Sequence, residues 1–187
     1  MEQKCAFLRL QCVSVSYVVF AGVRKPTDVA ALQRESPNLR PIVLDVTRPE
    51  QIRAALQTVS AFLDDQKLPL VGVVNNGGHF LGLPVECVPT SALRAMFECH
   101  VFGAHAMARA FLPLLRRSRG RLINVTSMNG RFVSGSVFPY TPAKHALEAM
   151  SDELRIELRP LGVSVSTVAP GPVDTRKIGR ASCRERG

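Results

Sequence analysis

The sequence predicts an α/β domain built on a doubly wound parallel sheet. Short, continuously apolar runs rich in β-branched residues alternate with longer stretches whose apolar residues recur every three or four positions. That is the pattern of strands buried on both faces and of the helices that cover them. The 187 residues are 46% hydrophobic and 21% charged, with 13 glycines and 13 prolines. This is enough chain for one core, and the composition is that of an ordinary globular domain.

The elements follow in order. "YVVFAG", residues 17–22, is β-branched and aromatic, is bounded by "RKP", and reads as a buried strand followed by a short helix. "RPIVLDV" gives a second strand ending at Asp45, and "RPEQIRAALQTVSAFLDDQ" sets Ile52, Leu56, Val59 and Leu63 at helical spacing. "LPLVGVVNN" is a third apolar strand, a long helix is expected over residues 90–117, and "RLINVTS" is a fourth strand. The last unit is a helix over residues 140–158, with Ala143, Leu147, Met150, Leu154 and Leu158 as one stripe, and then "GVSVSTVAPG". Gly162, just past Pro160, is the expected helix stop.

Composition excludes several function classes. The net charge is +9, but the basic residues are spread along the chain and form no stripe interleaved with aromatics, so no nucleic-acid partner is expected. Five cysteines at 5, 12, 87, 99 and 183 make no CxxC pair, and their odd number suits a reducing compartment such as the cytoplasm. His79, His100, His105 and His145 form no HExxH arrangement, and no metal is implied. The apolar run over residues 12–23 is too short to span a bilayer, and Glu2 spoils a signal-peptide start. The chain therefore reads as soluble, which leaves open an anchor upstream of this start.

A doubly wound sheet binds ligands beyond the carboxyl ends of its strands. Those ends carry Val23 and Arg24, Asp45, residues 75–78, Ser127 and residues 170–175. Within "PYTPAKHALEAM", Tyr140 and Lys144 stand four apart and share a helical face. An ammonium beside a phenol favours phenolate and makes it a usable general acid or base. By average composition such a pair arises by chance in roughly a third of chains of this length, so the pair alone decides little. Ser127 lies thirteen residues upstream at a strand end, where its hydroxyl can face the same space.

Together with "VVNNGG" and "APGPVDT", this ordered set resembles the short-chain dehydrogenase/reductase family over residues 17–175, with its Rossmann-like fold. The resemblance implies that Tyr140 exchanges the proton with a carbonyl or alcohol. It also implies that Lys144 holds the nicotinamide ribose and depresses the tyrosine pKa, and that Ser127 hydrogen-bonds the substrate oxygen. It places Asn75, Asn76, Gly77 and Gly78 along the adenosine side and Asp45 at the adenine. Pro170, Gly171, Val173 and Thr175 fall around the nicotinamide. His100 stands where the family has an asparagine that kinks the helix and relays protons to the lysine; a histidine can both donate and accept there. Pro142, inside the Tyr-Lys spacing, suits a helix that begins beside it. Val23 stands where an NAD site carries an acid and Arg24 follows it, which points to NADP rather than NAD. "FAGVRKP", "LDVT" and "FLPLLRRSRGRLINVTSM" are most similar to the retinol, hydroxysteroid and hydroxybutyrate dehydrogenase branch, implying a small, lipophilic alcohol or ketone.

The sequence departs from the family at both ends. No glycine precedes Gly22, whereas the family's glycine-rich turn lets backbone N–H groups approach a pyrophosphate. The expected sheet is therefore incomplete, with first and last strands missing and a break between the strands at Tyr17 and Leu70. Residues 1–16 read as an atypical segment, and "IGRASCRERG", residues 178–187, resembles a translated sequencing-library adapter and reads as a non-native tail. Two functions are consistent with this: an oxidoreductase interconverting a secondary alcohol and a ketone, or a truncated, non-catalytic dehydrogenase-like protein. The resemblance also implies that the helices at 90–117 and 140–158 can pack into a dimer interface, through which a homo-oligomer could form.

Overall fold

The computed structural model describes residues 17–171. Val173, Thr175, the atypical segment at 1–16 and the tail at 178–187 lie outside the described residues. Strand β1 (Val19–Val23), helix α1 (Thr27–Gln33), β2 (Leu39–Val43), α2 (Pro49–Gln66) and β3 (Gly72–Asn75) alternate as the pattern predicts. After β4 (Gly82–Leu83), α3 (Thr90–Phe97) runs through a π-helical segment, Glu98–Phe102, into α4 (Gly103–Ser118). Then come β5 (Arg121–Val125), β6 (Phe138–Pro139), α5 (Tyr140–Leu158) and β7 (Ser164–Val168).

The strands pair in parallel, as continuous apolar runs require. β1 lies on β2 with Val19 opposite Leu39, and β5 is flanked by β3 and β7 with Leu122 opposite both Val73 and Val165. β1 and β3 are not hydrogen-bonded to each other, and each has one edge unpaired among the described residues. The break falls where the sequence places it, and Val71 and Val74 stand exposed beside it. β4 and β6, a two-residue antiparallel pair, were not expected.

One core joins the layers. Ile52 and Val59 of α2, Phe111 and Leu115 of α4, Leu122 of β5 and Val165 of β7 are buried together. Phe20 of β1 packs against the same cluster, so the helices bridge the two groups of strands. α2 starts on Pro49, whose missing N–H is not needed in a first turn, and ends on Lys67 in the left-handed region at φ 52°. Gly162 takes φ 78° at the stop after α5, the conformation expected of it. Among the described residues no helix is long and apolar enough to cross a membrane, and no group of histidine, cysteine and carboxylate side chains is placed to hold a metal ion.

Candidate active site

α5 begins at Tyr140 itself, with Pro142 in its first turn, where its ring displaces no hydrogen bond. The helix presents Tyr140 and Lys144 on one buried face, and the Lys144 Nζ stands 5.6 Å from the Tyr140 ring centroid. Nζ also donates to the carbonyl of Val125, 2.8 Å away, which ties the helix to the end of β5. Ser127, two residues further, is extended and buried. Its hydroxyl bonds the Tyr140 phenol, and its oxygen accepts from the Asn129 N–H at 3.2 Å. Serine, tyrosine and lysine therefore meet as their spacing predicts.

The phenol differs from expectation in one respect. Burial pushes the Tyr140 pKa above its ordinary value near 10.0, and the hydrogen bond from Ser127 opposes this without overcoming it. The sequence suggests a phenol depressed by Lys144. In the folded chain the lysine is turned toward Val125, and desolvation of the ring decides the direction.

His100 lies in the π-helical segment between α3 and α4, a departure from α geometry of the kind that re-aims side chains at functional sites. Its Nε2 donates to the carbonyl of His79 at 2.8 Å, and its ring stands edge-on to Tyr140 with centroids 5.6 Å apart. Gly78 makes this possible, because a Cβ there would lie 2.3 Å from the His100 Cε1. Gly78→Ala is expected to cost about 1–3 kcal/mol by forcing the ring aside. The cost should shrink beside His100→Asn; equal losses in both backgrounds, measured by denaturant midpoints, would remove the coupling.

The remaining predicted residues divide between the structural frame and the cleft. Asn75 turns inward, donating to the Asn124 Oδ1 at 2.9 Å and to the Ala104 carbonyl at 3.2 Å. Asn124 in turn donates to the Ser151 hydroxyl. This buried chain links β3, β5 and α5, and only the Asn75 end of it was singled out from the sequence. Asn76 follows Asn75 at the end of β3 and is half-buried, while Gly77 is exposed with open space where a side chain would stand. Pro170 reaches the loop after Ser127 through its carbonyl, which accepts from the Met128 N–H at 3.1 Å. Gly171 is exposed and opens onto space.

Asp45 and exposed Arg24 form a second group at the ends of β1 and β2. Burial would raise the Asp45 carboxyl. Two hydrogen bonds from Thr47, with the Arg24 and Arg48 guanidinium groups, outweigh burial and hold it below the ordinary range. The same Arg24 adds to burial in lowering the pKa of His79, so one field links this group to the loop beside Tyr140.

Residues 14–184 match the short chain dehydrogenase family. The chain belongs to that family. Among the curated short-chain dehydrogenases it resembles, rat mitochondrial D-beta-hydroxybutyrate dehydrogenase is 38% identical over 163 residues, 84% of this chain and 48% of the relative. Mouse estradiol 17-beta-dehydrogenase 2 is 38% identical over 169 residues, 88% and 44% respectively. The chain thus spans about half the length of the curated relatives it matches. A short-chain dehydrogenase from Streptomyces avermitilis superposes with TM-score 0.83 at 30% identity, covering 92% of this chain and 63% of that one. One from Burkholderia cenocepacia, solved in complex with NADP, gives 0.77 at 32% identity over 90% and 68%.

Sequence reasoning passed over Phe80, which packs edge-on against Tyr140 at 5.0 Å. It also missed the network under the Ser127 loop, in which buried Glu148 accepts from Thr126 and pairs with Arg131 at 3.5 Å. A lone aromatic after a strand end and a carboxylate on a helix carry no periodic signal.

Proposed function

We propose that this chain is an oxidoreductase domain that interconverts a secondary alcohol and a ketone, with Tyr140 as general acid and base. The observation that carries this is the Ser127 hydroxyl bonded to a buried Tyr140 phenol, with Lys144 beneath the ring. In reduction, Ser127 holds the substrate oxygen by a hydrogen bond and Tyr140 Oη releases its proton to that oxygen as negative charge develops there. Lys144 stabilises the phenolate left behind, and His100 holds the loop at residues 78–80 against the tyrosine. A nicotinamide, when bound, supplies or accepts the hydride.

The donor set suits two ends of a dinucleotide. Asp45 is a carboxylate for the adenine amine, Arg24 is a cation for a 2′-phosphate, and Lys144 suits the nicotinamide ribose. Gly77 and Gly171 leave room along the sheet edge, and we include Asn76, Pro170, Val173 and Thr175 in the cofactor site by family position. The described residues contain no glycine-rich turn for the pyrophosphate. We favour NADP over NAD because Val23, at the end of β1, stands where an NAD site carries an acid and Arg24 follows it, and because a 32%-identical structure holds NADP. Arg24→Ala is expected to weaken NADP binding by about tenfold or more and NAD binding far less. Equal losses for the two cofactors in titration calorimetry would remove the preference.

The substrate we propose is a small, lipophilic alcohol or ketone, because estradiol, for which one of the two relatives above is named, has that chemistry and the space around Tyr140 is bordered by Phe80, Leu81, Met96 and Val137. Cys87 and Cys99 are free thiols among the described residues, in keeping with the cytoplasm. Exposed Phe102 and Ile156 on the two long helices are where two copies would meet. The test is ketone-dependent oxidation of NADPH by the purified chain. The edges of β1 and β3 that are unpaired among the described residues favour a second reading, a dehydrogenase-like domain without turnover. Failure to bind either dinucleotide would select it.

A further inference from the structure

We propose that Phe80 is the specificity-determining residue of this site, and that it selects a flat, uncharged, ring-bearing secondary alcohol or ketone over a short hydroxy acid. The proposal rests on the alcohol–ketone reading above. Phe80 is 60% exposed, although its ring meets the buried Tyr140 at 5.0 Å with an interplanar angle of 63°. Such a ring offers its outer surface to a ligand while its edge touches the group that moves the proton. Its ring lies close over Gly82, where a Cβ would come within 2.9 Å of the Phe80 Cζ, so the glycine leaves room for this placement. Gly82 is itself held opposite Pro139, next to Tyr140 in sequence, by the β4–β6 pair.

That pair joins two loops whose apolar residues face outward. Val85 on one is 69% exposed, and Phe132 and Val133 on the other are 62% and 83% exposed. The second loop is anchored at the start of α5, where Asn129 donates to Ser134 at 2.8 Å and reaches Thr141 at 3.5 Å. Exposed apolar side chains gathered on two tethered loops beside a polar catalytic pair mark a ligand surface rather than scattered exposure.

Charge separates the two ligand classes. Lys144 Nζ points to the Val125 carbonyl, and Arg131 is drawn to Glu148 and Thr167. Burial, and then Arg24, push His79 toward its neutral form. A short hydroxy acid whose hydroxyl met Ser127 and Tyr140 would thus bring its carboxylate against Phe80 and cations already engaged elsewhere. A neutral fused-ring alcohol would lay its ring on Phe80 and its oxygen on the same two hydroxyls.

Equilibrium dialysis of the full chain against testosterone and against 3-hydroxybutyrate tests this without requiring turnover. Testosterone is expected to bind more tightly. Phe80→Ala is expected to weaken it about tenfold while Phe80→Tyr retains it, with 3-hydroxybutyrate unaffected by either change. Tighter binding of 3-hydroxybutyrate, no binding of testosterone, or testosterone binding indifferent to Phe80→Ala would overturn the assignment. Phe80-dependent testosterone binding with no NADPH-linked turnover of any ketone would instead defeat the oxidoreductase reading and leave the role of Phe80 standing.

Discussion

Replacing Tyr140 by phenylalanine is expected to lower ketone reduction by about 10²–10⁴-fold, the range that positioned general acid catalysis supplies. The substitution removes one oxygen and keeps the ring, so the edge contacts with Phe80 and His100 and the burial beside Met96 and Ala143 remain. Substrate and cofactor should bind much as before, and the loss should fall on kcat and kcat/KM together. The pH profile carries a second, independent signature. Because burial raises the Tyr140 pKa above 10.0, the phenol keeps its proton through neutral pH. The limb of the reduction rate assigned to Tyr140 should therefore fall only above pH 10. Ser127→Ala removes the hydrogen bond that opposes burial, so the phenol should titrate higher still. The same sign governs stability. A group with a raised folded pKa contributes fully below its unfolded value and loses that contribution as pH rises past 10 toward the folded value. Turnover unchanged in Tyr140→Phe would end the mechanism, and a phenol titrating below 10 would end the account of its environment.

The catalytic pair was legible because its signal is local. A four-residue spacing fixes Tyr140 and Lys144 on one face whatever the rest of the chain does, and Pro142 marks where the helix can start. The strands were legible as apolar runs, yet their limits were not. "LPLVGVVNN" contributes only Gly72–Asn75 to the sheet, because pairing extends only where β5 lies opposite, from Arg121 to Asn124. The long helix was expected over residues 90–117, and only the family resemblance pointed to a kink at His100. The π-helical segment at Glu98–Phe102 shifts its register without breaking it, and no change in apolar spacing announces that. The direction of the Tyr140 pKa was misread for a related reason. A lysine four residues away can be read from sequence, but the burial that outweighs it is made by Met96, Ala143 and the loops on either side. β4 and β6 contribute two residues each, too few to show alternation, although the Phe80 ring rests close over Gly82 of β4.

Leu122→Ala is expected to destabilise the chain by about 2–5 kcal/mol, the cost of emptying a fully buried leucine site. In a chain of this length that corresponds to a fall of roughly 4–20 °C in Tm, a large share of the about 5–15 kcal/mol by which domains are stable. The position argues for a large effect. Leu122 is 0% exposed on the central strand of a three-stranded sheet, opposite Val73 on one side and Val165 on the other. It lies in the same buried cluster as Ile52 and Val59 of α2 and Phe111 and Leu115 of α4. These helices also reach Phe20 of β1. Since β1 and β3 share no hydrogen bonds, the cluster holds together strands that a continuous sheet would otherwise join. A cavity at Leu122 therefore weakens the sheet and the joint between its two parts. Ser127 lies two residues past the end of β5 and five from Leu122, so the native population of the variant should keep the geometry of the Ser127–Tyr140 pair while its unfolding midpoint drops. Thermal melts read beside turnover at low temperature separate these effects. A loss below about 1 kcal/mol would mean that the helices close over the cavity, the collapse that makes some leucine sites inexpensive to empty.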